Sequence, residues 1–247
     1  MSSDIELITP DWPAPANVWA YSTTRQGGVS VVPYQSLNLG DHVGDVEGCV
    51  NENRQRLIDQ LKIPSSPAWL QQVHGCEVYP LGRRQSGIVT ADASYTRESA
   101  QVCVVMTADC LPLLITNQAG TVVAAVHAGW RGLCNGVVEN TLSQLACPPE
   151  ELMVWLGPAI GPQAFEVGAE VREAFIARDP QAAYAFTPRD EQHWLADIYL
   201  LARQRLQRLG VSAVYGGNHC TYSQCQQFFS YRRDGVTGRM ASLIWLA

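Results

Sequence analysis

The sequence is short of charge. Asp, Glu, Lys and Arg make up 16% of its 247 residues, and the net charge is −6. Neutralising a phosphate backbone takes a basic face, so the composition excludes a general nucleic-acid coat and leaves room only for local basic pockets. No apolar run approaches the ~18–20 residues of a membrane span, so no membrane partner is expected. Solenoid-period repeats and low-complexity tracts are missing. So are G-x-G-x-x-G and G-x-x-x-x-G-K-[ST], which removes the Rossmann and P-loop readings. The first residues carry acids where an export signal carries bases, and no apolar core follows them. A cytoplasmic location is therefore expected.

What is present suits a large core: 47% of residues are hydrophobic. Pro and Gly are scattered, and no stretch reads as a linker, so residues 1–247 are expected to form one domain. The eight cysteines need not be a disulfide framework in a chain of this length without an export signal. Cys103 lies in an apolar run and reads as core. Cys49, Cys76, Cys134 and Cys147 lack metal-knuckle spacing.

Hydrophobic periodicity predicts four helices. The first lies between Asp45 and Lys62, with Val50, Leu57, Ile58 and Leu61 on one stripe and Arg54 as its polar exception. The second runs from about Leu133 to Ala146 and the third from about Ala169 to Arg178. The fourth is capped by Asp197 and ends before Gly210. Strands are predicted at Val18–Ser22, Gln101–Thr107, Leu111–Thr116, Thr121–Val126, Leu152–Leu156, Ala213–Tyr215 and Ala241–Leu246. Several are almost continuously apolar, so both sheet faces should be covered. The expected fold class is α/β in the mixed α+β sense, a layered sandwich of mixed sheets under helices.

Reactive side chains concentrate in three segments: Gln71-Gln72-Val73-His74-Gly75, Thr107-Ala108-Asp109-Cys110 and His127-Ala128-Gly129-Trp130-Arg131-Gly132. A two-residue hairpin turn at Gln118-Ala119 would pair Asn117 with Gly120 and bring Cys110 directly opposite His127. Pro112 complicates this register, because it cannot donate to a ladder. A thiolate and an imidazole placed together suit a metal or a Cys–His dyad. Two histidines and one cysteine leave zinc an open fourth position, the catalytic pattern. Asp109, next in sequence to Cys110, reads as a supporting or turn residue. The ordinary alternatives are a packed cysteine and a hydrogen-bonded structural histidine.

QQVHG, TADC and HAGWRG together resemble the YfiH family, whose members carry a laccase-domain label and a polyphenol oxidase description. The likeness spans nearly the whole chain. It includes Ser22–Ser30 (STTRQGGVS), Ser36–Gly40 (SLNLG), Gly157–Pro162 (GPAIGP), Phe228–Gly235 (FFSYRRDG) and Thr237–Ser242 (TGRMAS). The resemblance implies a sandwich similar to the catalytic domain of cytotoxic necrotizing toxins. It also implies a zinc site made by His74, Cys110 and His127, of which His74 rests on the resemblance alone. The implied activity is phosphorolysis of purine nucleosides (adenosine, inosine, methylthioadenosine), with adenosine deamination at the same site. Some relatives are linked instead to editing of peptidoglycan precursors, which would suit a Cys–His amidase.

Five histidines (His42, His74, His127, His193 and His219) cannot build the copper sites of a multicopper oxidase. A single copper could occupy the zinc ligands, since copper outranks zinc in the divalent series, and phenol oxidation would then follow metal loading. The expected small partners are a purine nucleoside and phosphate. Arg25, beside Gly27-Gly28, and Arg131, at a helix start, are candidates for phosphate or ribose contact. Asp109 is the candidate for protonating the leaving base. Trp130 could stack a base. Arg232, Arg233 and Arg239 read as a solvated face or ion-pair network, and His219, Cys220 and Cys225 form too loose a set for a second zinc.

Overall fold

The computed structural model describes residues 4–82 and 87–247. Its strands are β1 (Leu7–Ile8), β2 (Val18–Thr23), β3 (Val78–Pro80), β4 (Ala93–Thr96), β5 (Val102–Thr107), β6 (Leu111–Asn117), β7 (Val123–Ala128), β8 (Leu152–Leu156), β9 (Glu166–Gly168), β10 (Phe186–Pro188), β11 (His193–Ala196), β12 (Ala213–Gly216) and β13 (Met240–Leu246). Its helices are α1 (Glu47–Leu61), α2 (Trp130–Asn135), α3 (Val137–Leu145), α4 (Ala169–Arg178), α5 (Ile198–Arg208) and α6 (Tyr231–Asp234). The strands form a four-stranded sheet β1-β2-β13-β5, a six-stranded sheet β12-β8-β6-β7-β4-β3 and a small sheet β10-β11-β9. β12 runs parallel to β8 and β3 parallel to β4, so the six-stranded sheet is mixed. The fold is mixed α+β.

Alternation along the apolar strands explains the layering. Val102 and Val104 of β5 pack with Leu57 of α1 on one face, while Cys103 and Val105 face the other sheet. On β6, Leu111, Leu113 and Ile115 pack with the helices, and Leu114 points to the first sheet. β7 splits likewise, with Ala124 and Val126 on one side and Val123 and Ala125 on the other. Successive side chains point to opposite faces, so strands apolar at every position need cover on both. The result is four layers: α1, the four-stranded sheet, the six-stranded sheet, and the group α2–α5.

Three expectations need correction. The second predicted helix is two helices, split at Gly136, whose φ of +105° breaks the run. The hairpin between β6 and β7 is longer than a two-residue turn. It pairs Thr116 with Val123 and Pro112, not Cys110, with His127. This moves the register by two residues, which preserves the faces because the side-chain period is two. On α1, Asn53 is a buried residue that the apolar stripe left out. It accepts from Val29 N–H and donates to Ser30 Oγ and to the carbonyls of Ser36 and Asn38. Arg54 is explained by its guanidinium lying 4.1 Å over the Trp69 ring and donating to the Leu39 carbonyl. The short strands β1, β3, β4, β9, β10 and β11 carried too few residues for periodicity to register.

Candidate metal centre

Cys110 immediately precedes β6 and His127 is the next-to-last residue of β7. Both belong to the face that looks toward the other sheet. His74 comes from the loop before β3, with a φ of +60° that non-glycine residues seldom adopt. One ligand atom each from His74, Cys110 and His127 lies within 4.8 Å of the others. Cys110 Sγ is 3.8 Å from His74 Nε2, and the two imidazoles meet edge to face. Tetrahedral zinc with ordinary bond lengths sets its donors about 3.3–3.6 Å apart. The three side chains therefore fit one ion after a small inward adjustment, with a fourth position open.

Asp92, which the sequence reading missed, organises the centre. It is fully buried on the segment leading into β4. Its Oδ1 accepts from the His74 N–H at 2.9 Å and pairs with His127 Nδ1 at 2.8 Å. Its Oδ2 accepts from Gly75 N–H at 2.6 Å and Val73 N–H at 3.2 Å. One carboxylate thus wraps the His74 loop and fixes the His127 ring, leaving Nε2 of His127 to face Cys110. A carboxylate on the far nitrogen of a metal-binding histidine sets its tautomer and raises its basicity. Burial pushes the Asp92 carboxyl upward, but the bonds from His127, Gly75 and Val73 overcome it and hold it below its usual value. The sequence signal was faint: a lone acid among small residues in Thr90-Ala91-Asp92-Ala93-Ser94.

Two glycines of HAGWRG have steric reasons. A Cβ on Gly129 would sit 2.9 Å from His74 Cδ2 and 3.0 Å from Cys110 Sγ. A Cβ on Gly132 would meet the Gly75 carbonyl at 2.8 Å. The segment after β7 can therefore approach the ligands only without side chains.

Electrostatics separate the half-buried Cys110 from the buried thiols. Burial raises a thiol, and at Cys110 the neighbouring His127 charge and the hydrogen bonds from both imidazoles reverse this, bringing it down to about 6. His127 is shifted up to about 9: the Cys110 charge and the Asp92 bond outweigh its burial. Cys103, the expected core cysteine, is pushed up to about 12 by burial. Without a metal, the opposite directions of these two shifts favour an imidazolium–thiolate pair.

Beside Cys110 lies a cavity of about 250 Å³. Ile160, Phe165 and Ile198 form an apolar part, with Trp130, Tyr231, Arg131 and Arg232 among the other lining residues. Asp109 borders it, with a φ of +90°. Its oxygens are engaged, Oδ1 by the Thr221 hydroxyl at 2.6 Å and Oδ2 by the Arg232 N–H at 2.7 Å. Asp109 therefore ties the start of β6 to the loop before Phe228 and to the first turn of α6. Arg25 is placed elsewhere. It lies over the Phe229 ring and donates to the carbonyls of Gln35 and Cys225. Arg131 does line the cavity. Cys220 and His219 do not join the metal-capable group: Cys220 Sγ accepts from Gly161 N–H, and His219 packs on Phe228. Among the described residues, His74, Cys110 and His127 are the one such group.

The site is thus a group of two imidazoles and a thiol that could hold a metal, braced by a buried carboxylate in an α+β sandwich. The chain belongs to the YfiH family, described as multi-copper polyphenol oxidoreductase laccase, whose family model matches residues 19–247. The protein named purine nucleoside phosphorylase YfiH in Escherichia coli (strain K12) is 58% identical over 241 residues, covering 98% of this chain and 99% of its own. A purine nucleoside phosphorylase of Pseudomonas aeruginosa is 54% identical over 240 residues, covering 97% and 98%. The crystal structure of a Neisseria meningitidis protein superposes with a TM-score of 0.93 at 53% identity, covering 97% and 98% of the two chains. That of YlmD from Geobacillus stearothermophilus gives 0.89 at 30% identity, covering 95% and 93%. Among the described residues no helix is long and apolar enough to cross a membrane.

Proposed function

We propose that this protein is a metal-dependent purine nucleoside phosphorylase, with zinc held by His74, Cys110 and His127. The observation that carries the reading is the open three-donor centre, whose Cys110 lines a cavity shared by the apolar Ile160, Phe165 and Ile198 and by Arg131 and Arg232. The names of its full-length relatives support the same reaction. Zinc in such a site supplies positive charge for orienting an oxyanion and for acidifying a bound water.

The chain's own residues supply the rest. Ile160, Phe165 and Ile198 exclude water from the base, and Trp130 and Tyr231 offer faces on which a purine can stack. In phosphorolysis an oxygen of HPO₄²⁻ forms a bond to the ribose C1′ as the C1′–N9 bond breaks. The N9 electron pair leaves with the purine, and the phosphate proton ends on the base, giving purine and ribose-1-phosphate. Asp92 keeps the His127 ring and the His74 loop in place throughout. Adenosine, inosine and methylthioadenosine share the base and ribose this requires, and deamination of adenosine would use a metal-bound water at the same place. The decisive assay is phosphate-dependent release of adenine from adenosine by zinc-loaded wild type and Cys110→Ala. Adenine with ribose-1-phosphate from wild type alone supports the reading, and no release at stoichiometric zinc defeats it.

A second reading is favoured by one specific feature. Cys110, His127 and Asp92 stand in the order nucleophile, base and orienting acid. Metal-free protein arranged this way would be a cysteine hydrolase or amidase. A single copper in place of zinc, giving phenol oxidation, would be a consequence of loading. Both are tested by assaying the same preparation stripped of metal and reloaded with zinc or copper.

A further inference from the structure

We propose that Arg131, Arg232 and Arg239 form an oxyanion subsite beside the metal centre, built to take inorganic phosphate. The assignment rests on the phosphorolysis reading for its role, but the geometry stands without it. Each of these arginines lies over an aromatic ring: Arg131 over Trp130 at 4.3 Å, Arg232 over Phe165 at 5.6 Å and Arg239 over Tyr231 at 5.9 Å. All three rings line the cavity that holds Cys110 on its wall. Stacking fixes the plane of a guanidinium while leaving its in-plane N–H donors available.

Those donors are only partly used. Arg232 gives one nitrogen to the Glu166 carbonyl. Arg239 gives one nitrogen to the carbonyls of Thr237 and Gly238. Among the described residues, none of the three makes an ion pair within 4.0 Å. The nearby carboxylate, Asp109, is already held by Thr221 and the Arg232 backbone. Arg233, next in sequence, shows the contrast. It is consumed by Asp234 and by the carbonyls of Thr221, Tyr222 and Phe228. Arg239 is half-buried, and the charges of Cys110 and Asp109 act on it. Arg131 and Arg232 line the cavity, and Arg239 lies over Tyr231 at its border. Three ring-backed forks with spare donors match a tetrahedral dianion, which forks bind by paired N–H···O contacts. The sequence reading offered Arg25 and Arg131 as candidates for phosphate or ribose contact, and Arg232, Arg233 and Arg239 as a solvated face or ion-pair network. The proposal keeps Arg131 and takes two arginines from the YRRDG and TGRMAS segments in place of Arg25.

The test measures binding of inorganic phosphate to zinc-loaded protein by calorimetry, alongside the KM values for phosphate and for inosine. Wild type is compared with Arg131→Gln, Arg232→Gln, Arg239→Lys and the exposed control Arg189→Gln. Losing one charge-assisted contact is expected to weaken phosphate binding about tenfold. The inosine KM should stay within about twofold, a split that a general loss of structure would not produce. Arg189→Gln should match wild type. If Arg239→Lys melts early, the two cavity-rim variants decide. Unchanged phosphate affinity in Arg131→Gln and Arg232→Gln overturns the subsite. Weakened phosphate binding without any nucleoside cleavage by wild type upholds the subsite and removes the phosphorylase reading instead.

Discussion

Asp92 makes four contacts with two atoms, and each serves a ligand of the centre. Asp92→Asn keeps the shape but removes the charge that holds His127 Nδ1–H. Zinc affinity, measured by competition with a chelating dye, should fall about 10–100-fold. Cys110 gives a pH prediction. Its lowered value predicts that iodoacetamide alkylates metal-free protein with a midpoint near 6, and that zinc protects it. The linkage has a sign at both ends. The depressed thiol adds stability that is fully present above its unfolded value and lost as pH falls through about 6. The raised imidazole adds stability present below its unfolded value and lost as pH rises through about 9. Melting temperature of the metal-free protein should therefore plateau between those limits, and Cys110→Ala should flatten the profile. An alkylation midpoint near the ordinary thiol range would refute the pair.

At the scale of elements, apolar strands and capped helices were legible because their signals are local. Asp197 caps α5 by accepting from Leu200 N–H, as its position before an apolar stripe implied. The α2–α3 break was not read, because Gly136 sits inside an otherwise continuous apolar pattern. Gly136→Ala would force a side chain into φ +105° and should cost about 1–2 kcal/mol in urea denaturation. The pairing of β6 with β7 shows another limit. Composition located the turn, but its length depends on Asn117, whose side chain bonds Thr121 and lengthens the loop. The error was even-numbered, so Cys110 and His127 still shared a face.

At the scale of the molecule, the order of layers followed from alternation, whereas the meeting of His74 with Cys110 and His127 did not. His74 reaches the centre on an irregular loop held by a carboxylate 18 residues away in sequence, and no periodicity encodes that. Asp92 and the arginine-lined cavity were missed for the same reason: their partners come from separate segments. The sheets share one core in which β5, β6, β7, β8 and β13 all contribute side chains. We infer that the chain unfolds as one domain. Denaturant melts followed by tryptophan fluorescence and by far-ultraviolet circular dichroism should coincide, and separated transitions would contradict a single unit.

The Asp92 clamp has a consequence for how the centre can be studied. Because the His74 loop and the His127 ring are tied to the same buried carboxylate, two of the three candidate ligands are held near one another by the fold itself. Exchange of one ion for another would then be a local substitution in a standing frame that leaves the rest of the chain folded. Differences in catalysis between zinc-, copper- and cobalt-loaded samples would report the chemistry of each ion, because the scaffold would be common to all three.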